Sequence, residues 1–151
     1  MKTTIEFRWE LINFLIKKYN FKRYLEIGID TGRTFNQVQC EDKESVDPGL
    51  GQYKHVKPTY RMTSDKFFSI INDDFKWDIV FIDGLHQADQ VYRDINNSLH
   101  HLSDNGIIIC HDLNPLSERA QCYPRISREH APLWNGDCWK AWVRLRAENL
   151  N

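Results

Sequence analysis

The sequence predicts an α/β fold: an open, doubly wound, mainly parallel sheet with helices on both faces. Three features point there. Two short and almost unbroken apolar runs, Trp77–Ile82 and Ile107–Cys110, flank a stretch of helical periodicity, which is the signature of parallel strands buried on both sides. The right-handed crossover joining such strands leads to an open sheet wound both ways. A further apolar run, Arg23 to Ile27, ends in a glycine turn that passes into a helix.

Each element follows in order. Ile5, Trp9, Ile12, Leu15, Ile16 and Tyr19 share one helical face over residues 4–19, and Asn20 is a stop. Arg23 to Gly28 reads as a buried strand, and Thr34 to Gln39 as a helix. Ser45-Val46-Asp47-Pro48-Gly49 is a strand tip closed by a Pro-Gly turn, followed by a loop with Gly51, His55 and Pro58. Thr59 to Met62 is expected as a third strand. Asp65 caps a helix bearing Phe67, Phe68, Ile70 and Ile71. Trp77 to Gly84 is the clearest strand. Val91, Tyr92, Ile95, Leu99 and Leu102 form the face of the next helix, and Asn105-Gly106 turns the chain into Ile107–Cys110. Residues 113–136 carry Pro115, Pro124 and Pro132 without periodicity, a long loop of the kind that carries function. Asp137 to Asn149 reads as a helix with Trp139, Trp142 and Val143 inward.

A length of 151 residues fits one domain over 1–151. The net charge of -1 gives no global electrostatic case for nucleic acid. No apolar run approaches the roughly 18 residues of a membrane span. Charges interrupt the first apolar stretch, so it does not read as a leader. Cys40, Cys110, Cys122 and Cys138 show no C-x-x-C pairing and are expected to be reduced thiols in a cytoplasmic protein.

Ligands of an open parallel sheet bind beyond the carboxyl ends of its strands. Those ends here carry Glu26-Ile27-Gly28, Asp47, Thr63-Ser64-Asp65, Asp83-Gly84-Leu85-His86 and His111-Asp112. Gly28 and Gly32 let backbone approach a ligand closely. The turn lacks the G-x-G-x-x-G of a pyrophosphate cradle, and an acid two places before Gly28 suits a cationic ligand better; a purely structural turn is the alternative. Asp47, nineteen residues after Gly28, stands where a carboxylate can accept both hydroxyls of a ribose, unless it only closes an Asp-Pro-Gly turn. If the strands of Asp83 and Asp112 are neighbours, about 4.8 Å apart, the two carboxylates need a shared proton, a cationic partner or a metal. Carboxylate and water oxygens suit Mg²⁺. His86 and His111 flank the same place and suit a softer metal or proton transfer. His100-His101 read as favourable charges at a helix end rather than ligands, Lys140 and Arg144 as a solvated face, with an anionic acceptor's phosphate or carboxylate as the alternative, and Trp134, Trp139 and Trp142 as core, with an aromatic platform for the acceptor as the alternative.

Tyr24-Leu25-Glu26-Ile27-Gly28-Ile29-Asp30-Thr31-Gly32-Arg33-Thr34-Phe35 resembles the first motif of class I S-adenosylmethionine-dependent methyltransferases. Val46-Asp47-Pro48 is similar to their acidic second motif. Trp77 to His86 with Tyr92-Arg93-Asp94-Ile95 resembles their fourth strand and helix, and Gly106 to Asp112 their fifth strand. Trp134 to Ala141 also looks like a segment of some of these proteins. The resemblance spans roughly residues 22–146 and points to the catechol- and macrocin-type O-methyltransferases, with a Rossmann-like fold.

By position, the resemblance implies that Glu26, Gly28 and Gly32 line the methionine and ribose side of S-adenosylmethionine, with Asp30 in the same turn. It implies that Asp47 holds the ribose, that Ser64 and Asp65 lie near the adenine, and that Asp83 also borders the cofactor. In metal-dependent relatives, acids at positions like Asp83 and Asp112 bind a divalent cation. Methyl transfer needs an acceptor placed for in-line attack. A hydroxyl acceptor also needs a base, for which His86 is the first choice and His111 the second, with Asp83 beside them.

The expected function is O-methylation of a small hydroxylated molecule. The rival is an inactive methyltransferase-like module that binds a nucleoside or serves assembly; a nicotinamide enzyme is a third reading, opposed by the missing phosphate cradle. Family domains continue past the helix that follows the fifth strand, whereas this sequence stops at Asn151. The expectation is therefore a sheet cut to about five strands at the C-terminus, with an exposed edge covered by the loop, the last helix or a second subunit in a homodimer.

Overall fold

The computed structural model of the chain describes residues 4–50, 56–125 and 133–148. Gly51 and His55 of the expected loop, the middle of the 113–136 segment and Asn149 lie outside them. The element order is α1 (Arg8–Tyr19), β1 (Arg23–Ile27), α2 (Arg33–Gln37), β2 (Asp42–Val46), α3 (Ser64–Phe68), β3 (Trp77–Ile82), α4 (Ala88–His100), β4 (Leu102–Cys110) and α5 (Trp139–Glu148).

All strand pairs are parallel, in the order β2-β1-β3-β4. The inward-pointing residues alternate with period two, and this divides the core into two layers. Leu25, Ile27, Val80 and Ile82 pack with Phe67 of α3, Val91 and Ile95 of α4, Ala141 and Leu145 of α5, and Cys138 just before α5. Tyr24, Ile79 and Phe81 pack with Ile12 and Ile16 of α1 and Phe35 of α2. Helices thus cover both faces, as the apolar strand runs require.

Several expectations are corrected. The described sheet has four strands rather than about five: the segment at Thr59–Met62 is reduced to a parallel bridge between Val46 and Tyr60. Tyr60 N–H donates to the Ser45 carbonyl (2.8 Å) and Asp47 N–H to the Tyr60 carbonyl (3.1 Å). Thr63 then caps α3 through a bond from Lys66 N–H and ends the pairing. Next, β4 starts at Leu102, so Asn105-Gly106 lies inside an irregular strand whose register shifts between Trp77/Leu102 and Ile79/Ile107. Finally, α5 turns a different face inward. Ala141 and Leu145 are buried with Cys138, while Trp142 and Val143 are exposed, because 138, 141 and 145 share the stripe that meets the α4 face of the sheet. Likewise Leu99 is exposed, and α4 buries Val91, Asp94, Ile95 and Ser98. As the edge strand, β4 has only half-buried or exposed residues.

Candidate functional site

The glycine turn is built by close backbone passage. Gly28 has φ of +83°, and a Cβ on it would lie 2.3 Å from the Asp83 carbonyl oxygen and 2.5 Å from Gly84 Cα, so the exits of β1 and β3 leave no room for a side chain there. Gly32, at φ +74°, is covered by Val56, and Asp30 also has positive φ. Asp47, at the tip of β2, ties the turn to its neighbour. Its Oδ2 accepts from Ile29 N–H (3.0 Å) and its Oδ1 from Gly49 N–H (2.8 Å). These two bonds set the carboxylate plane at the strand end.

Glu26 lies beneath this turn, almost wholly buried, and its Oε2 accepts from the Tyr24 hydroxyl. Burial raises its carboxyl to about 8, with the Asp83 charge adding to the rise, while Tyr24, Arg8 and Lys43 oppose it. Glu26 therefore carries its proton at neutral pH. Ser64 and Asp65 head α3 and bind α4: Gln90 Nε2 donates to Ser64 Oγ and Asp65 Oδ1 (both 3.1 Å), and Arg93 grips both Asp65 oxygens at 3.2 Å.

The densest polar cluster sits one strand further on. β3 and β4 are neighbours, so Asp83, His86, His111 and Asp112 converge. His86 Nε2 is 3.6 Å from Asp83 Oδ1 and 3.2 Å from Asp112 Oδ2, and His111 Nδ1 is 3.3 Å and 3.0 Å from the same two atoms. Asp112, in a left-handed conformation (φ +60°), turns back onto the cluster. Arg8 at the start of α1 pairs with Asp83 Oδ2. Burial alone would raise the Asp83 carboxyl, but His111, His86 and Arg8 hold it well below the usual carboxylate range. The Asp112 and Asp83 carboxylates together push the His111 imidazole up to about 9 against the effect of burial. The repulsion expected of two adjacent carboxylates is thus offset by cationic partners. Asp83, His86 and Asp112 also each offer a donor atom within 4.8 Å of the others, so the trio could hold a divalent ion. The Nδ1 of His86 is buried without a hydrogen-bond partner among the described residues.

Two contributors, Arg8 and Asn135, are not expected from the sequence, and Trp134 is expected in the core or, alternatively, as an aromatic platform for the acceptor. In the fold Trp134 is not core: its ring stacks on His86 (centroids 4.9 Å apart). Asn135 Nδ2 donates to Asp112 Oδ1 (2.5 Å), and Gly136 passes so close to the His86 backbone that a Cβ would fall 1.9 Å from its carbonyl oxygen.

A family described as "Methyltransferase domain" matches residues 25–113. No curated protein sequence matches. Among solved structures, the chain is similar to the SAH-bound methyltransferase PaMTH1 of Podospora anserina, with a TM-score of 0.60 and 19% identity, over 99% of this chain and 71% of that one. It is also similar to an O-methyltransferase from Bacillus cereus in complex with SAH, with a TM-score of 0.65 and 11% identity, over 97% of this chain and 71% of that one.

Proposed function

Since the chain belongs to the methyltransferase-domain family, we propose that it is an S-adenosylmethionine-dependent O-methyltransferase acting on a small hydroxylated molecule. The observation that carries this reading is the spacing of two clusters at the carboxyl ends of the strands. The glycine turn bridged by Asp47 stands beside the Asp83, His86 and Asp112 group, across the gap between β1 and β3.

The residues fit the cofactor in their chemistry. Asp47 is a carboxylate held in one plane by two backbone amides, as a ribose-binding acceptor must be. When bound, the cofactor supplies an electrophilic methyl group on sulfur. In this reading Gly28, Asp30, Gly32 and Glu26 lie along its methionine and ribose side and Ser64 and Asp65 toward the adenine; neutral Glu26 offers hydrogen bonds rather than charge there.

On the acceptor side His86 is the general base. Its Nε2 stands 3.6 Å from Asp83 Oδ1 and 3.2 Å from Asp112 Oδ2, which orient the ring at the mouth of the site. His111 is an unsuitable base in this arrangement, because it already carries its proton at neutral pH, and it serves instead as a cationic partner of Asp83 and Asp112. In the alternative arrangement those two acids and His86 would together hold a divalent ion, which then lowers the acceptor's pKa in place of a histidine base; an imidazole in the set favours Mn²⁺ or Zn²⁺ beside Mg²⁺. A non-catalytic nucleoside-binding module would have no use for a histidine so placed. The chain is read as one domain over 1–151, working in the reducing cytoplasm as a homodimer. The four cysteines are free, and among the described residues no helix is long and apolar enough to cross a membrane.

Calorimetry with S-adenosylhomocysteine tests the reading. Binding by the wild type is expected, with a loss of about tenfold or more in Asp47→Ala, since a buried polar partner is left unmatched. A wild-type protein that shows no heat of binding at millimolar ligand would sink it.

A further inference from the structure

We propose that Asp73, His100 and His101 form a second site, for a divalent transition-metal ion, at the end of the sheet opposite the glycine turn. His100 closes α4, and His101 links it to β4, where its carbonyl accepts from Trp77 N–H (2.9 Å) at the amino end of β3. Asp73 lies in the turn that leads into β3. A donor atom from each of the three residues lies within 4.8 Å of the other two, and His100 Nε2 is 3.9 Å from Asp73 Oδ1. Ligands sharing one ion at bond lengths of ~2.0–2.2 Å stand about 3–4 Å apart. Small rotations of the exposed His100 and Asp73 side chains close that difference.

The buried member of the trio is prepared for the role. The ring of His101 is wedged between Phe68, stacked at 5.6 Å, and the edge of Trp77 at 5.8 Å. Its Nδ1 lies 3.0 Å from the Phe75 carbonyl oxygen. A proton on Nδ1 donated to that oxygen leaves Nε2 as the lone-pair nitrogen, the arrangement that orients metal-binding histidines. The rings of His100 and His101 stand nearly perpendicular, 5.0 Å between centroids, so their lone pairs do not compete for one direction. The C-terminal carbonyls of α4 make the place attractive to a cation, and Lys76 already exploits this by donating to the His100 carbonyl (2.5 Å). Two imidazoles and one carboxylate, completed by water, select Zn²⁺, Ni²⁺ or Co²⁺ over Mg²⁺. The bound ion would staple the last turn of α4 to the turn entering β3.

Co²⁺ titration of the full chain, followed through the histidine ring signals by NMR, separates this site from the one at His86. The expected result is paramagnetic broadening of the His100 and His101 rings as an event distinct from any change at His86 and His111. His100→Ala and Asp73→Asn should each weaken it by about tenfold or more. Both side chains are exposed, so the variants should keep the wild-type circular dichroism. Ni²⁺ should raise the Tm of the wild type by more than it raises that of His100→Ala. Ring signals of His100 and His101 that stay sharp up to millimolar Co²⁺, or an equal affinity in either variant, would overturn the proposal.

Discussion

Glu26 reports on its surroundings through its proton. Its folded-state value, about 8, lies above the ordinary 4.5. The stability linked to that proton is complete below the lower value and is lost as pH rises through the upper one. Glu26→Gln keeps the neutral form and can still accept from Tyr24. Urea unfolding at about pH 5 and about pH 9 should therefore show the wild type losing more stability than the variant across that range; parallel losses would show that Glu26 does not hold its proton. His86 gives the functional counterpart. His86→Gln removes the base while the cofactor residues stay in place, so methyl transfer should fall by roughly 10²–10⁴, with S-adenosylhomocysteine affinity within a few-fold of wild type. A variant of undiminished rate would move the base elsewhere.

Among the elements, the β1 exit is the least tolerant. Gly28→Ala would combine a positive φ with a Cβ pressed into the Asp83–Gly84 backbone, which must itself stay in place to present Asp83. The cost is about 2–4 kcal/mol from conformation and overpacking together, readable as a lower urea midpoint at unchanged m-value. A variant as stable as wild type would show that the turn has room to relax. A Cβ on Gly32 would meet Val56 first, its Cγ1 at 2.5 Å and its backbone N and O at 3.0 and 3.1 Å. The strand cores were readable from the run of apolar residues in β1 and β3. The face of α5 was not, because Trp139, Trp142 and Val143 make a plausible apolar stripe on their own. The buried alternative, Cys138, Ala141 and Leu145, is chosen by the small residues that fit close against α4.

On the scale of the molecule, β4 leaves an edge whose residues are half-buried or exposed. Unpaired strand edges invite pairing with another chain, which is the basis of the proposed homodimer. Sedimentation equilibrium at micromolar concentration should give twice the mass of the 18.0 kDa chain. A mass that stays monomeric at every concentration would refute the pairing.

The fold class, the buried strands β1 and β3 and the strand-end residues Gly28, Asp47, Asp83 and Asp112 are determined by the sequence itself, since periodicity, apolar runs and glycine turns act within one segment. Tertiary structure decided the rest. Arg8 meets Asp83 across 75 residues of chain and Asn135 meets Asp112 across 23, contacts that no local pattern encodes. Whether Glu26 is charged, and whether His111 is a base or a cation, depends on burial and on neighbours from other strands. Those are brought together only when the sheet and the loop over it pack.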